Sequence, residues 1–369
     1  MRFTVSREVL LKPLTLVAGV VEKKQTLPVL ANVLMVLKEN TLSLTGTDLE
    51  IEIICPISLE QPSEGGETTV PAKKFLDICR SLPDGAIIDF SLSEEKAIVK
   101  SGRSRFTLST LSADDFPSVE RGSNDLSFVC DQSDIRRLID KTGFAMAQQD
   151  VRYYLNGMLL ELSMNQVRAV STDGHRLAMC TRPMNIDLGE ADTKQAIMPR
   201  KGIMELARML SEPDQKVEII LGNNHLRAVT KNFTFTSKLI DGKFPDYNRV
   251  LPRGGDKVVH GDRDTLKHAF ARASILSNEK YRGVRFVLSD SLITITANNP
   301  EQEEAEEQVS VDYNGDALEV GFNVSYLLDV ANVLESEVMQ FTLGDSNSSA
   351  LIESPNESDS LYVIMPMRL

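Results

Sequence analysis

Met198-Pro-Arg-Lys-Gly-Ile-Met-Glu-Leu-Ala-Arg-Met-Leu210 is the stretch from which the fold is read. Ile203, Leu206, Met209 and Leu210 make one apolar stripe at helical spacing, with Arg200, Lys201 and Arg208 between them, so the segment predicts an amphipathic helix that starts after Pro199. The pattern stands 128 residues earlier as Pro71, Phe75, Ile78 and Leu82, interspersed with Lys73, Lys74 and Arg80. It stands 124 residues later as Asn323, Leu327, Val330 and Leu334. No copy needs an internal gap.

Other markers repeat at nearly the same spacing. Leu30 returns as Leu155, Thr47-Asp48 as Thr172-Asp173, Phe116-Pro117 as Phe244-Pro245, and Gly157 as Gly283. The strand ending at Asp173 has a counterpart ending near Asn298. A repeat of this length is domain-sized, so each copy can bury its own core, unlike the 20–50-residue repeats of solenoids. Three homologous domains follow, at residues 1–125, 126–253 and 254–369.

Each copy reads alike. A short strand (2–5, 127–130, 257–260) leads into a helix (8–20, 134–146, 264–276). Period-2 alternation then marks strands, for example at 33–37, 41–46 and 50–54, before the second helix and a further strand run at 216–221, 225–230 and 233–238. Asn223-Asn224 supplies a hairpin turn within that run. The expected class is α+β: in each domain two helices pack on antiparallel sheets. The connectors at 120–125 and 252–256 are short, which keeps the domains as neighbours.

At 42% hydrophobic residues the chain has ample core, and no apolar run approaches the ~20 residues of a membrane span. The apolar stretch Leu14 to Val21 is short, follows Pro13 and lacks a cleavage site of small residues, so a cytoplasmic protein is expected. Cys55, Cys79, Cys130 and Cys180 are far apart in sequence, which predicts free thiols rather than a zinc site or disulfides. The net charge of −13 argues against nucleic acid, but its distribution does not. The helical segments with their flanks (7–24, 72–83, 133–152, 200–210, 263–282, 324–334) carry a net +9, leaving −22 on the rest. One basic helical surface on an acidic body accounts for this. The helix-forming tendency of Lys and Arg also accounts for it.

No phosphate-cradling glycine loop, zinc-protease helix, nucleophile elbow or cysteine-pair metal motif occurs, and His175, His225, His260 and His268 are scattered. Asp48 and Asp173 are equivalent positions of two repeats, which suits turn residues better than a catalytic pair, although a Mg²⁺-dependent nuclease or phosphohydrolase is the rival reading they leave. A binding protein without enzyme activity, cofactor or metal is expected. Two stretches stand out. Ser171-Thr-Asp-Gly-His-Arg-Leu-Ala178 places Gly-His-Arg where the first repeat has Leu49-Glu50-Ile51. The chain ends Tyr362-Val-Ile-Met-Pro-Met-Arg-Leu369, where Met residues suit either a closing edge strand or a surface for several partners.

The end of the chain, the segment Ser171 to Leu177, Phe244-Pro-Asp-Tyr-Asn-Arg-Val250 and Asn298-Asn-Pro-Glu-Gln-Glu-Glu-Ala-Glu-Glu307 resemble the bacterial DNA polymerase III beta subunit family, the sliding clamps. The resemblance covers the whole chain. It implies a head-to-tail homodimeric ring that encircles double-stranded DNA, with helices around the hole and sheets outside. It also implies linear peptide motifs of the replicative polymerase, the clamp loader, and repair and translesion polymerases docking between the second and third domains. By matching positions the peptide pocket comprises Leu155, Thr172, Gly174, His175, Arg176, Leu177, Pro245, Arg249, Val250, Val363, Met365, Pro366, Met367 and Arg368. Leu155, Leu177, Pro245, Val250, Val363 and Met365 are expected as its floor, Met367 as an adaptable side chain, and Arg176, Arg249 and His175 as donors at its rim.

Sequence-neutral contact with DNA phosphates is expected from Lys24, Arg80, Gln149, Arg152, Tyr153, Tyr154 and Arg200; Lys24 stands where relatives often carry Arg, and the two tyrosines suit packing equally well. The dimer contact is expected to set Lys73, Lys74, Arg80, Arg103 and Arg105 against Glu301, Glu303, Glu304, Glu306 and Glu307, and the resemblance places Phe106 and Leu108 against Ile275 and Leu276 at its centre. Size points the same way. A domain of this length is roughly 30 Å wide, so three closed on themselves leave a hole of only ~4 Å and six leave about 30 Å.

Overall fold

A computed structural model describes residues 1–21, 27–117, 124–189 and 191–368, with the backbone alone at 124 and 125. Lys24, Leu369 and most of the first connector lie outside the described residues. Six α-helices occur among them: α1 (Arg7–Ala18), α2 (Ala72–Ser81), α3 (Gln132–Thr142), α4 (Arg200–Met209), α5 (Arg263–Ile275) and α6 (Val324–Val333). Pro71, Pro199 and Asn323 each stand immediately before the second helix of a repeat, paired across the sheet with Asn32, Gly157 and Gly283. The three copies found in the sequence therefore share one register, and the chain has three homologous α+β domains.

By compactness the described residues form two units, 1–133 with 204–239 and 134–203 with 240–369. The middle domain is divided between them because its strands extend the sheets of its two neighbours. In the first unit an eight-stranded antiparallel sheet runs Gly66–Pro71, Asn32–Lys38, Thr41–Thr47, Ile51–Ser58, Thr234–Lys238, His225–Val229, Lys216–Gly222, Asn124–Asp131, joined across the repeats where Ile53 pairs with Phe235. A four-stranded sheet runs Arg2–Ser6, Ile87–Ser93, Lys96–Ser101, Ser104–Ser109. The second unit has the same plan. Its eight strands run Thr193–Pro199, Gly157–Ser163, Gln166–Thr172, Arg176–Pro183, Glu357–Ile364, Ala350–Ser354, Val338–Leu343, Lys257–Asp262, and its four run Glu304–Ser310, Leu292–Asn298, Gly283–Ser289, Leu318–Asn323.

The helices bury the apolar stripes expected of them. Phe75, Leu76 and Cys79 of α2 and Leu327, Val330 and Ala331 of α6 are buried, as are Leu10, Leu14 and Val17 of α1 and Leu266, Ala269 and Phe270 of α5. Phe3 stacks on Phe90 at 4.9 Å in the first unit, and Phe286 packs against Phe322 and Phe341 in the second. Truncating such a ring to Ala costs about 3–5 kcal/mol, because the cavity collapses only partly. Arginine at the start of a repeat's first helix closes the end of its second: Arg7 Nε donates to the Cys79 carbonyl at 3.0 Å, and Arg263 Nη1 to that of Leu334 at 2.6 Å. Both guanidiniums sit where the helix leaves unpaired carbonyls and partial negative charge.

Two helices are shorter than the periodicity predicts. α1 ends at Ala18 rather than 20, where Arg208 donates to the Leu16 carbonyl at 3.1 Å and satisfies its last turn. α3 ends at Thr142 rather than 146, because Gly143–Ala145 tightens into a 3₁₀ turn. The four cysteines are buried and none is in a disulfide, and burial pushes the thiols of Cys55, Cys79 and Cys180 up to about 12, which makes these three core residues rather than nucleophiles.

Candidate functional site

The Thr-Asp motif of the repeats builds a turn. Thr172 Oγ1 donates to the Arg176 carbonyl at 2.6 Å, and Asp173 Oδ1 accepts from the amides of His175 and Arg176. In the first repeat Thr47 and Asp48 make the same bonds with Ile51 and Glu50. Each carboxylate is thus held by its own turn. Among the described residues no cluster of three or more His, Cys, Asp or Glu is arranged to hold a metal ion.

From this turn the strand Arg176–Pro183 pairs with Glu357–Ile364, Leu177 opposite Val363 and Met179 opposite Leu361. The ladder continues beyond the strand: the Met365 amide donates to the His175 carbonyl at 2.9 Å. On one face Leu159, Val170, Leu177, Ile197 and Val363 form a buried cluster that Phe244 and Tyr247 cover. Tyr247 is pinned there by its hydroxyl, which donates to Glu161 at 2.7 Å and accepts from Arg168 at 2.9 Å. The structure therefore brings together the 172–177 turn, the 244–250 segment and the C-terminal strand, which are far apart in sequence.

The details differ from the expected pocket. Leu155, Leu177 and Val363 are 2%, 3% and 1% exposed, so they lie beneath the surface rather than forming a floor. The accessible apolar surface belongs instead to half-buried Met365, to exposed Pro245 and Val250, and to Tyr154, Met179, Leu251, Leu351 and Leu361, which pack on the cluster partly exposed. Sequence reasoning missed Met179 and Leu361, although the alternation through Leu177 and Val363 marks them. Arg249 and Val250 line a groove of about 830 Å³ with Lys257 and Ser349, whereas Met367 and Arg368 line another of about 680 Å³. Arg249 and His175 are exposed, as rim residues should be, and Arg249 pairs with Asp246 at 3.0 Å.

Arg176 requires a correction. Its guanidinium is largely buried, donates to Asp173 at 3.2 Å, to Asp329 and to the Phe144 carbonyl at 2.9 Å, and lies between the rings of Phe144 and Tyr326. Nε, Nη1 and Nη2 are each engaged within the chain, so Arg176 ties the turn to α6 rather than standing free at the rim.

Of the residues expected to meet DNA, Arg80 is exposed at the end of α2, and Gln149 is exposed at φ +57°. Arg152 pairs with Asp150 at 2.9 Å and reaches the Asp173 carbonyl at 3.4 Å; with that hydrogen bond and charge, the Asp150 carboxyl falls to about 2. Tyr153 is exposed, while Tyr154 packs against the apolar cluster. Arg200 is half-buried, 3.4 Å from the Met146 carbonyl. Of the dimer candidates, Arg103 and Arg105 are exposed and Phe106 half-buried at the edge strand Ser104–Ser109, with Lys74 exposed on α2, but Leu108 of the same strand is buried in its own chain, 7% exposed, rather than offered at a contact centre. Glu303 and Glu304 are exposed at the start of the edge strand Glu304–Ser310, and Ile275, at 74% exposure, ends α5 next to Leu276. Glu307 differs from the rest of its acidic run, since Arg272 of α5 holds it at 2.6 Å.

Family profiles match successive parts of the chain: the N-terminal, central and C-terminal domains of the DNA polymerase III beta subunit at residues 1–120, 130–246 and 248–368. The chain belongs to the DNA polymerase III beta subunit family. It is 62% identical over 369 residues to the beta sliding clamp of Pseudomonas putida and 53% identical to that of Escherichia coli, each alignment covering both chains completely. Crystal structures of the Pseudomonas aeruginosa sliding clamp, one of them bound to griselimycin, superpose on the whole chain with a TM-score of 0.97 at 63% identity. The Caulobacter crescentus beta subunit superposes with a TM-score of 0.93 at 37% identity, again over both full chains. As a member of this family the protein is a sliding clamp of DNA polymerase III and acts in DNA replication. Among the described residues no helix is long and apolar enough to cross a membrane.

Proposed function

We propose that two copies of this chain close head to tail into a cytoplasmic ring around duplex DNA, and that each copy tethers the replicative polymerase through a peptide site on the second unit. Clamp loader, repair and translesion polymerases use the same site in turn. This reading keeps domain limits at 1–125, 126–253 and 254–369, supported by family profiles that match residues 1–120, 130–246 and 248–368. The role is non-catalytic: Asp48 and Asp173 spend their carboxylates on backbone amides of their own turns.

The observation that carries the peptide site is the Met365 amide bonded to the His175 carbonyl, which sets the half-buried C-terminal residues beside the turn and the exposed side chains of Pro245 and Val250. An apolar peptide has Met365, Leu361 and Val250 to cover, with His175 and Arg249 at the edge. Removing residues 365–369 tests this. Binding of polymerase and loader peptides is expected to be lost while the molar mass stays dimeric, and undiminished peptide affinity would return the tail to the role of a closing strand.

Ring closure is supported by two open sheet edges of opposite charge, Ser104–Ser109 flanked by Arg103 and Arg105, and Glu304–Ser310 with Glu304 and Glu306. Antiparallel pairing of these edges satisfies backbone groups that an edge leaves open. Contact with DNA through Lys24, Arg80, Gln149, Arg152, Tyr153 and Arg200 is phosphate-directed and indifferent to sequence, as sliding demands. Retention on circular DNA, lost on linearisation and weakened steeply by salt, is the expected result.

A further inference from the structure

Opposite residues of neighbouring antiparallel strands share a face of the sheet. Across the four-stranded sheet of the second unit Glu306, Thr296, Arg285 and Gly321 stand in one such row, and Met367 extends it, bridging to Gly321 with its amide donating to the Gly321 carbonyl at 2.8 Å. Val284, Phe286 and Ile295 point into the core, so the row lies on the sheet's outer face. Gly321 puts no side chain between Arg285 and the tail, which stand about 10 Å apart by two strand spacings. A groove of about 680 Å³ opens on this face, lined by Gly283, Arg285, Met367 and Arg368.

The walls suit an extended chain with an acidic residue. Asn278, Asn298 and Thr296 line the groove with groups able to bond a peptide backbone. Arg368 is exposed and pairs with no carboxylate among the described residues. Arg285 pairs with Glu319, both side chains about half exposed, a type of solvent-screened pair that is weakly held and yields readily to a competing carboxylate. Glu304 also lines the groove but sits on the edge strand, two strands beyond Arg285, so a carboxylate between Arg285 and Arg368 is kept away from it.

We propose that this groove is a second subsite for the peptides that dock beside His175 and Met365, and that it selects an acidic residue in the flank running past Met367. The inference rests on the peptide-binding reading. The test uses the full-length protein and the clamp-binding peptide of the replicative polymerase, extended at either end by three glutamates or three glutamines, with affinity read by fluorescence anisotropy. At one end the glutamate flank is expected to bind about fivefold tighter or more, as a charge-assisted hydrogen bond allows, and Arg285→Ala is expected to erase that gain while leaving the glutamine-flanked peptide unaffected. Equal affinities at both ends, or a gain that survives Arg285→Ala, would overturn the subsite alone. Absence of binding by the glutamine-flanked and unextended peptides would overturn the peptide-binding reading and the subsite with it.

Discussion

Leu49 and Gly174 occupy the same position of the same turn in two repeats, at φ +77° and +88°. The threonine and aspartate before them fix the turn through matching hydrogen bonds and thereby demand a left-handed residue next. A leucine there costs on the order of 1–2 kcal/mol, which glycine avoids. In the second repeat the glycine also makes room, since a Cβ on Gly174 would lie 2.9 Å from the Arg152 guanidinium.

Gly174→Ala is therefore expected to fold, as the first repeat closes the turn around a larger side chain, but to lose about 1 kcal/mol. For a cooperative unit of about 200 residues that is a fall in Tm of roughly 2–4 °C, measurable by calorimetry. An unchanged Tm would mean that the turn tolerates positive φ without cost.

Arg176→Ala should be far more damaging. It leaves Asp173 and Asp329 without their cation and removes the filling between Phe144 and Tyr326, for an expected loss of about 3 kcal/mol. Arg176→Lys should recover little, because an ammonium cannot span three acceptors and stack on two rings. Denaturant melts of the two variants measure this, and full rescue by lysine would show that charge alone matters.

The legibility of the molecule in its sequence followed the range of the interactions. Pro71, Pro199 and Asn323 mark the helix starts through local periodicity, and Thr172-Asp173 marks a turn whose bonds span four residues. Those features were readable. The Arg176 to Asp329 contact joins residues 153 apart, and nothing near Arg176 in sequence announces Tyr326. The joining of repeats into eight-stranded sheets was equally hidden, because pairs such as Ile53 with Phe235 depend on which edges meet. Of the residues expected as the pocket floor, Pro245 and Val250 are exposed and Met365 half-buried, whereas Leu177 and Val363 read the same in sequence and are buried beneath them.

Acid should loosen the second unit through Arg137. Its guanidinium donates to Asp359 at 2.6 Å and to Glu335 at 2.9 Å, and Lys141 also pairs with Glu335 at 3.0 Å. The Glu335 carboxyl is held below its ordinary range by these hydrogen bonds, Arg137 first. Burial opposes ionisation of Asp359, but the hydrogen bond and charge of Arg137 outweigh it and its carboxyl also ends low. A carboxyl depressed in the folded state stabilises fully above its unfolded pKa, near 4, and loses that contribution as pH falls through the folded value. Arg137→Leu is thus expected to cost about 2 kcal/mol at pH 7, with the gap to the native protein closing below pH 4. A gap independent of pH would assign the loss to packing.

If two copies close into the proposed ring, replacing Ile275 by Ala and Leu276 by Asp should separate it into single chains. Ile275 is 74% exposed at the end of α5, an apolar side chain with little to cover it within its own chain, and it lies next to the acidic edge strand that would meet Arg103 and Arg105. Its truncation removes burial at the proposed centre of the contact, and an aspartate beside it places an unpaired carboxylate against the half-buried ring of Phe106, a cost of several kcal/mol. At ~1.4 kcal/mol per tenfold, dimer affinity is expected to fall by about a thousandfold. Light scattering should then report half the native mass at micromolar concentration, while peptide binding beside His175 persists because neither replaced residue touches that cluster. A dimer that survives the double replacement would move the contact elsewhere on the chain.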